Sequence, residues 1–159
     1  MKKMNLIYKF ILALTVPFLI GLASCEEDYP QVPADIEYAE LSVSVSDSSL
    51  MPQEEFASKE MEITWTPGNN EGTGTAIAYT LEIDQKENNF AEAETFDIGV
   101  NTFTLSMTHG ELNSMVLDTF GLAPNTTHDL SARITATSPS GDFETQTATT
   151  DFQVTPYKP

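Results

Sequence analysis

Cys25 is the only thiol in this 159-residue chain, and it closes the run Leu22-Ala23-Ser24-Cys25. With no second cysteine it can form no internal disulfide, which leaves its nucleophilic sulfur open to modification. Other reactive groups are sparse. His109 and His128 lack a Cys or His partner at metal-ligand spacing, so no zinc site is expected. His109 reads as a surface residue at a helix start, and His128 as a hydrogen-bonded structural residue. No Gly-x-Ser-x-Gly elbow supports a nucleophilic triad. The stretch Gly68 to Thr75 lacks the Gly-Lys-Ser/Thr of a phosphate loop and reads as a flexible inter-strand loop. Glu62, Glu82 and Asp84 fall on outward positions of strands. A glycosidase needs two carboxylates facing across a cleft, but acids are so abundant here that such pairs arise by chance. No catalysis, metal or cofactor is expected.

The surroundings of Cys25 state its chemistry. Lys2, Lys3 and Lys9 precede an apolar run, Phe10 to Ala23, that is broken by Pro17 and ends in small residues. A membrane-spanning helix needs about 20 apolar residues; this run is shorter and has the build of a cleaved signal peptide. Leu22-Ala23-Ser24-Cys25 resembles the lipobox of bacterial lipoproteins, which implies cleavage after residue 24 and acylation of Cys25. Each buried acyl CH₂ contributes about 0.8 kcal/mol, and more than one chain is needed for stable anchoring. Residues 25–37 then read as an acidic tether, extended by Pro30 and Pro33. Acids directly after the cysteine resemble the surface-export signal of some Gram-negative lipoproteins.

Charge excludes some partners. The chain carries 24 acids and seven bases, net −17. Three of the bases leave with residues 1–24, which contain no acid, so the remainder stands at −20. Nucleic acid and anionic headgroups should repel such a body. The acids are scattered and form no Asp-x-Asp-x-Asp-Gly loop, so they read as a solvated face.

From Leu41 onward the apolar period is two. Leu41, Val43 and Val45, then Met61, Ile63 and Trp65, then Ile77, Tyr79, Leu81 and Ile83 alternate with polar residues, as half-buried strands do. Phe96, Ile98 and Val100 form a fourth set. Phe103, Leu105 and Met107 follow out of phase by one residue, which calls for a bulge or turn near 100–102. Thr108 and Glu111 then fit a capping box, with Met107 and Leu112 as its hydrophobic staple. Leu112, Met115, Val116 and Phe120 keep helical spacing, Gly121 suits a left-handed stop, and Leu122 is placed to fold back on Leu117. A helix over 109–120 is expected. His128, Leu130, Ala132, Ile134 and Ala136 alternate again, Ser138 to Gly141 turn the chain, and a last strand spans about 143–155, anchored by Phe152 and Val154. Arg133 falls opposite that apolar face, where Glu82 is a candidate partner. Trp65 shares the face of Met61 and Ile63 and belongs to the core. Tyr29, Tyr38 and Tyr157 lie near the domain ends, and Tyr38 and Tyr157 are candidate glycan contacts.

About seven short strands with frequent turns point to an all-β, immunoglobulin- or fibronectin III-like β-sandwich over 38–157 with one short inserted helix. Leu122-Ala123-Pro124-Asn125-Thr126-Thr127-His128 resembles the Leu-x-Pro-x-Thr-x-Tyr segment of fibronectin III domains, with His128 in place of the corner tyrosine. A second resemblance covers nearly all of the chain beyond Cys25. It rests on the order of Tyr79-Thr80-Leu81-Glu82-Ile83-Asp84, Leu105 to Asn113, Phe120-Gly121-Leu122, and Ala132-Arg133-Ile134-Thr135-Ala136. That order behind a lipobox is similar to the N-terminal domain of SusE/SusF-type outer-membrane lipoproteins of starch utilisation systems. The resemblance implies a non-catalytic, surface-exposed outer-membrane module. It would serve as a spacer or accessory in the capture of a starch-like polysaccharide, in contact with a transporter and glycan-binding protein complex. Full-length members continue into carbohydrate-binding domains, which would begin near residues 156–159, so no glycan-contacting residue carries over. A self-sufficient carbohydrate-binding module and an adhesive lipoprotein with a protein ligand are the alternatives.

The processing expectation has a direct readout. Mass spectrometry of the protein from membranes should find an N-terminal Cys25 carrying acyl chains; residues 1–24 still attached, or an unmodified Cys25, would refute it.

Overall fold

Alternating side chains sort into two sheets with their apolar faces turned towards each other. The computed structural model describes residues 40–158. The expected signal segment and tether, with Cys25, Tyr29 and Tyr38, lie outside them. Eight strands follow in order: β1 Val43–Val45, β2 Ser49–Leu50, β3 Glu60–Trp65, β4 Ala78–Gln85, β5 Glu94–Val100, β6 Thr104–Thr108, β7 His128–Thr137 and β8 Gln146–Val154. One sheet has the order β1-β3-β6 and the other β2-β8-β7-β4-β5. All pairings are antiparallel except β2 with β8. This is the immunoglobulin/fibronectin III-like sandwich expected from the strand pattern.

The period-two faces form the core. Met61, Ile63 and Trp65 of β3 are buried, while Glu60, Glu62 and Thr64 between them are exposed. Against them pack Tyr79, Leu81 and Ile83 of β4, Leu130, Ala132, Ile134 and Ala136 of β7, and Phe152 and Val154 of β8. Each large side chain so buried contributes roughly 1.5–3 kcal/mol. The Trp65 and Tyr79 ring centroids lie 6.1 Å apart, and the Tyr79 hydroxyl donates to Pro67 O at 2.7 Å.

One strand feature differs from the sequence expectation, and the turn expected near 100–102 is present at Asn101. β2 has only two residues, too few for any periodicity to show; it is held by Gln153 N donating to Ser48 O and Thr155 N to Leu50 O, both 2.9 Å. The phase change before Phe103 has two causes. In β5, Tyr79 opposes Gly99 while Thr80 opposes Asp97, so Ile98 is the extra residue of a bulge, eased by Gly99 at φ +76°. The chain then turns through Asn101 at φ +59° and crosses to the other sheet, where β6 pairs with β3.

The helix starts as expected. Thr108 Oγ1 accepts from Glu111 N at 3.2 Å, and Glu111 Oε2 accepts from Thr108 N at 2.7 Å. Two further amides of the first turn are paired from outside: His109 N donates to Lys59 O at 2.7 Å and Gly110 N to Ala57 O at 2.9 Å. All three amides that open α1 (His109–Ser114) therefore have partners. Glycine suits position 110, since a Cβ there would sit a tight 3.2 Å from Ala57 O. Met107 and Leu112, the staple pair, are both buried in the core.

The helix does not continue as α to Phe120. Met115–Thr119 winds as π, with Phe120 N donating to Met115 O at 3.0 Å. The wider turn moves the closing bond back one residue, so Leu122 N donates to Val116 O, not to Leu117. Gly121 takes the left-handed conformation at φ +66°. Val116 is fully buried, and Met115, Phe120 and Leu122 all pack on the core around it.

Replacing Thr108 with Ala removes the cap acceptor and should lower unfolding stability by about 1 kcal/mol. A lower denaturant midpoint at unchanged slope is the expected readout; an unchanged midpoint would show that the 57–59 carbonyls suffice.

Candidate functional site

The three strand carboxylates lie in different environments. Glu62 is on β3, in the three-stranded sheet, whereas Glu82 and Asp84 are on β4 in the other. Glu82 faces Arg133 across the β4–β7 ladder and accepts two hydrogen bonds, from Nε at 2.8 Å and Nη2 at 2.9 Å. This is the pairing expected from strand alternation. Arg133 also stacks on the Phe90 ring, its Cζ 4.1 Å from the centroid. The ion pair holds the guanidinium pKa above its ordinary value.

Asp84 corrects the sequence reading. It was expected on an outward face, yet it is completely buried. The β4–β5 connection folds over it: Asp84 Oδ1 accepts from Gln85 N at 2.7 Å and Asn88 Nδ2 at 3.0 Å, and Oδ2 accepts from Glu92 N at 3.1 Å. Asp84 thus organises a connection whose Asn89 and Phe90 both adopt positive φ. Lys86 in the same connection reaches Asp151 on β8 at 2.7 Å, and Ser131 Oγ donates to Asp151 at 2.6 Å. These bonds draw Asp151 below the usual carboxylate range. Glu82, Asp84 and Asp151 are thereby tied to neighbouring backbone and cations, while Glu62 is exposed on the other sheet.

The two histidines also differ from one another. His128 Nε2 donates to Ala123 O at 2.8 Å. That bond returns to the backbone five residues upstream, as the tyrosine of a tyrosine corner does. The imidazole therefore replaces the missing phenol. His109 was expected at the surface, but it is only 6 % exposed, and its Nδ1 has no hydrogen-bond partner. Burial and the nearby Lys59 charge push its pKa below the ordinary value, with Asp47 opposing. The reason for the error is tertiary: the 57–59 segment packs on the helix start, which the local sequence does not announce. Among the described residues no group of three or more His, Cys, Asp or Glu is placed to hold a metal ion.

Of the candidate glycan contacts, only Tyr157 lies within the described residues. Its ring is half-buried, and its backbone is clamped by Asn113: Tyr157 N donates to Asn113 Oδ1 at 2.9 Å and Asn113 Nδ2 to Tyr157 O at 3.2 Å. Asn113 is fully buried, and its amide imitates one rung of a β-ladder. Asn125 N adds a bond to Pro156 O at 2.7 Å. Trp65, assigned to the core from its alternation, is 6 % exposed.

A groove of about 640 Å³ opens between β5 and the helix, lined by Glu94, Phe96, Glu111, Met115 and Asp118 among others. Sequence reasoning missed it, because Phe96 and Met115 read simply as core residues of separate elements. Their packing on opposite sides of one opening depends on the crossover between sheets.

The sequence pattern described as SusE outer membrane protein matches residues 26–135, more than half of the chain. The chain belongs to the SusE outer membrane protein family. SusE membership associates it with the outer membrane and with starch-utilisation lipoproteins. No curated protein matches it. Among solved structures, the fibronectin III domain of the human collagen alpha-1(XX) chain is similar, at 12% identity and TM-score 0.42, over 76% of this chain and 83% of that one. A bacterial immunoglobulin-like domain from the M. primoryensis ice-binding adhesin matches at 15% identity and TM-score 0.37, over 74% and 96%. The third fibronectin III domain of the human KIAA0343 protein matches at 12% identity and TM-score 0.38, over 71% and 86%. The sandwich of this SusE-family chain stands on its own strand order.

The His109 environment makes stability pH-dependent with a fixed sign. Its pKa falls on folding, so its contribution is complete above the unfolded value near 6.5 and is lost as pH drops through the lower folded value. Wild type should therefore lose stability between pH 7 and about 5.5, and His109→Phe should lose less over the same window. Equal losses in denaturant melts at both pH values would refute this.

Proposed function

We propose that this SusE-family chain is a non-catalytic accessory module, held at the outer-membrane surface by a lipidated Cys25. A tether of residues 25–37 carries a sandwich of about 38–157, which spaces or docks a polysaccharide-capture system and contacts its transporter and glycan-binding proteins. The family match over residues 26–135 carries this reading. The side-chain geometry supports it: Glu82 is occupied by Arg133, Asp84 by the β4–β5 connection, and Trp65 by the core. These are the groups that would otherwise suggest hydrolysis or an aromatic sugar platform.

Fractionation and titration test the proposal together. The protein should sediment with outer membranes, be cleaved by protease added to intact cells, and co-purify with a transporter complex. It should show no saturable binding to soluble starch. Release into soluble fractions, or turnover of a glycan, would overturn it. Saturable binding that is lost in Tyr38→Ala or Tyr157→Ala would instead establish a self-sufficient carbohydrate-binding module.

A further inference from the structure

The groove beside β5 combines three features. First, β5 is the last strand of the five-stranded sheet, and its outer edge makes no backbone hydrogen bond to another strand among the described residues. It offers seven residues, with the bulge at Ile98 near its end, against three in β1, five in β6 and two in β2. Secondly, the groove lies between the start of β5, at Glu94 and Phe96, and the helix, so a strand added there could send alternate side chains into it. Phe96 and Met115, both half-buried and packed on the core, are its apolar contacts. Thirdly, its charged residues are all acidic: Glu94, Glu111 and Asp118. Glu111 is held ionised by its Thr108 bonds, which lower its pKa.

We propose that this groove seats an extended, lysine- or arginine-bearing segment of a partner protein, which pairs with β5 by strand addition. Main-chain bonds to the free edge supply register. An apolar side chain rests on Phe96 and Met115, and cations meet Glu94 and Asp118. A second copy of this chain is the poorer occupant, since pairing β5 with itself sets Glu94 and Asp97 against like charges on a body that is already strongly acidic. The inference rests on the reading of a module that contacts proteins. Co-purification with a transporter complex from solubilised membranes tests that reading without the peptide probe, so the two can fail separately.

The probe is a labelled peptide of about eight residues, alternating lysine with valine, together with its glutamate-for-lysine counterpart. Both are titrated onto the full chain in detergent, with amide exchange followed by mass spectrometry. The lysine peptide should bind saturably and more weakly at high salt, the glutamate peptide should not bind, and the β5 amides should gain protection. Glu94→Lys with Asp118→Lys should weaken binding by about tenfold. Glu60→Lys with Glu62→Lys, the same charge change on β3, should leave it nearly unchanged. Absence of binding, equal weakening by both pairs, or protection elsewhere would overturn the proposal. So would protection, in the free chain, of the β5 amides that point away from β4, which would assign the edge to residues 1–39 or to a second copy.

Discussion

Water is excluded from one thin layer between two sheets, and every other feature of the molecule follows from keeping that layer closed. Ile63, Leu81, Ile83, Leu130, Ala132 and Ile134 have no exposure at all. They come from strands far apart in sequence, so the layer exists only when the chain has crossed between sheets several times. Each crossing leaves backbone groups that the ladders cannot pair, and the polar side chains with structural roles are found at these crossings. Asp47 Oδ1 accepts from Ser49 N where the chain enters β2. Asn101 turns the chain from β5 to β6, and the capping box starts the crossover from β6 to β7.

That last crossover is densely bonded. The helix opens with its first three amides satisfied and closes through a π turn and a left-handed glycine. His128 then ties the start of β7 to Ala123, and Asn113 and Asn125 bind the segment after β8. One connection therefore locks three parts of the chain: the 57–59 segment, the start of β7 and residues 155–157. This explains how a helix can be inserted into a sandwich without opening it. Met107, Leu112 and Val116 bring their own apolar face to the layer, and the helix covers one end of it.

What could be read from the sequence tracks the range of the interaction responsible. Strand faces and the capping box depend on neighbours two to four residues apart, and Met61-Ile63-Trp65 and Thr108/Glu111 declare themselves. The Glu82–Arg133 pair was legible because alternation fixes which face a residue takes, even across 51 positions. Asp84 was misread by the same rule, since alternation cannot foresee a loop that returns over the strand's outer face. His109 failed for the related reason that its cover comes from residues 57–59. The π turn has no local signature, and the groove emerges only when β5 and the helix meet. The site-level reading was limited in kind: Cys25 and Tyr38 fall outside the described residues, and family resemblance, not geometry, supplied the outer-membrane context.

The charge distribution connects fold to partner. Only four basic residues lie beyond residue 24, Lys59, Lys86, Arg133 and Lys158, against 24 acids. Two of the four are already committed, Arg133 to Glu82 and Lys86 to Asp151, both on the outer face of the five-stranded sheet. That face is therefore locally neutralised and stitched by hydrogen bonds, while the acids around β5 and the helix have no cation among the groove residues. Uncompensated like charge on a sheet edge has a known use in preventing edge-to-edge aggregation. The same charge selects for a cationic partner wherever the edge remains open. One distribution thus discourages self-association and sets a sign for recognition, and both effects grow weaker as salt rises.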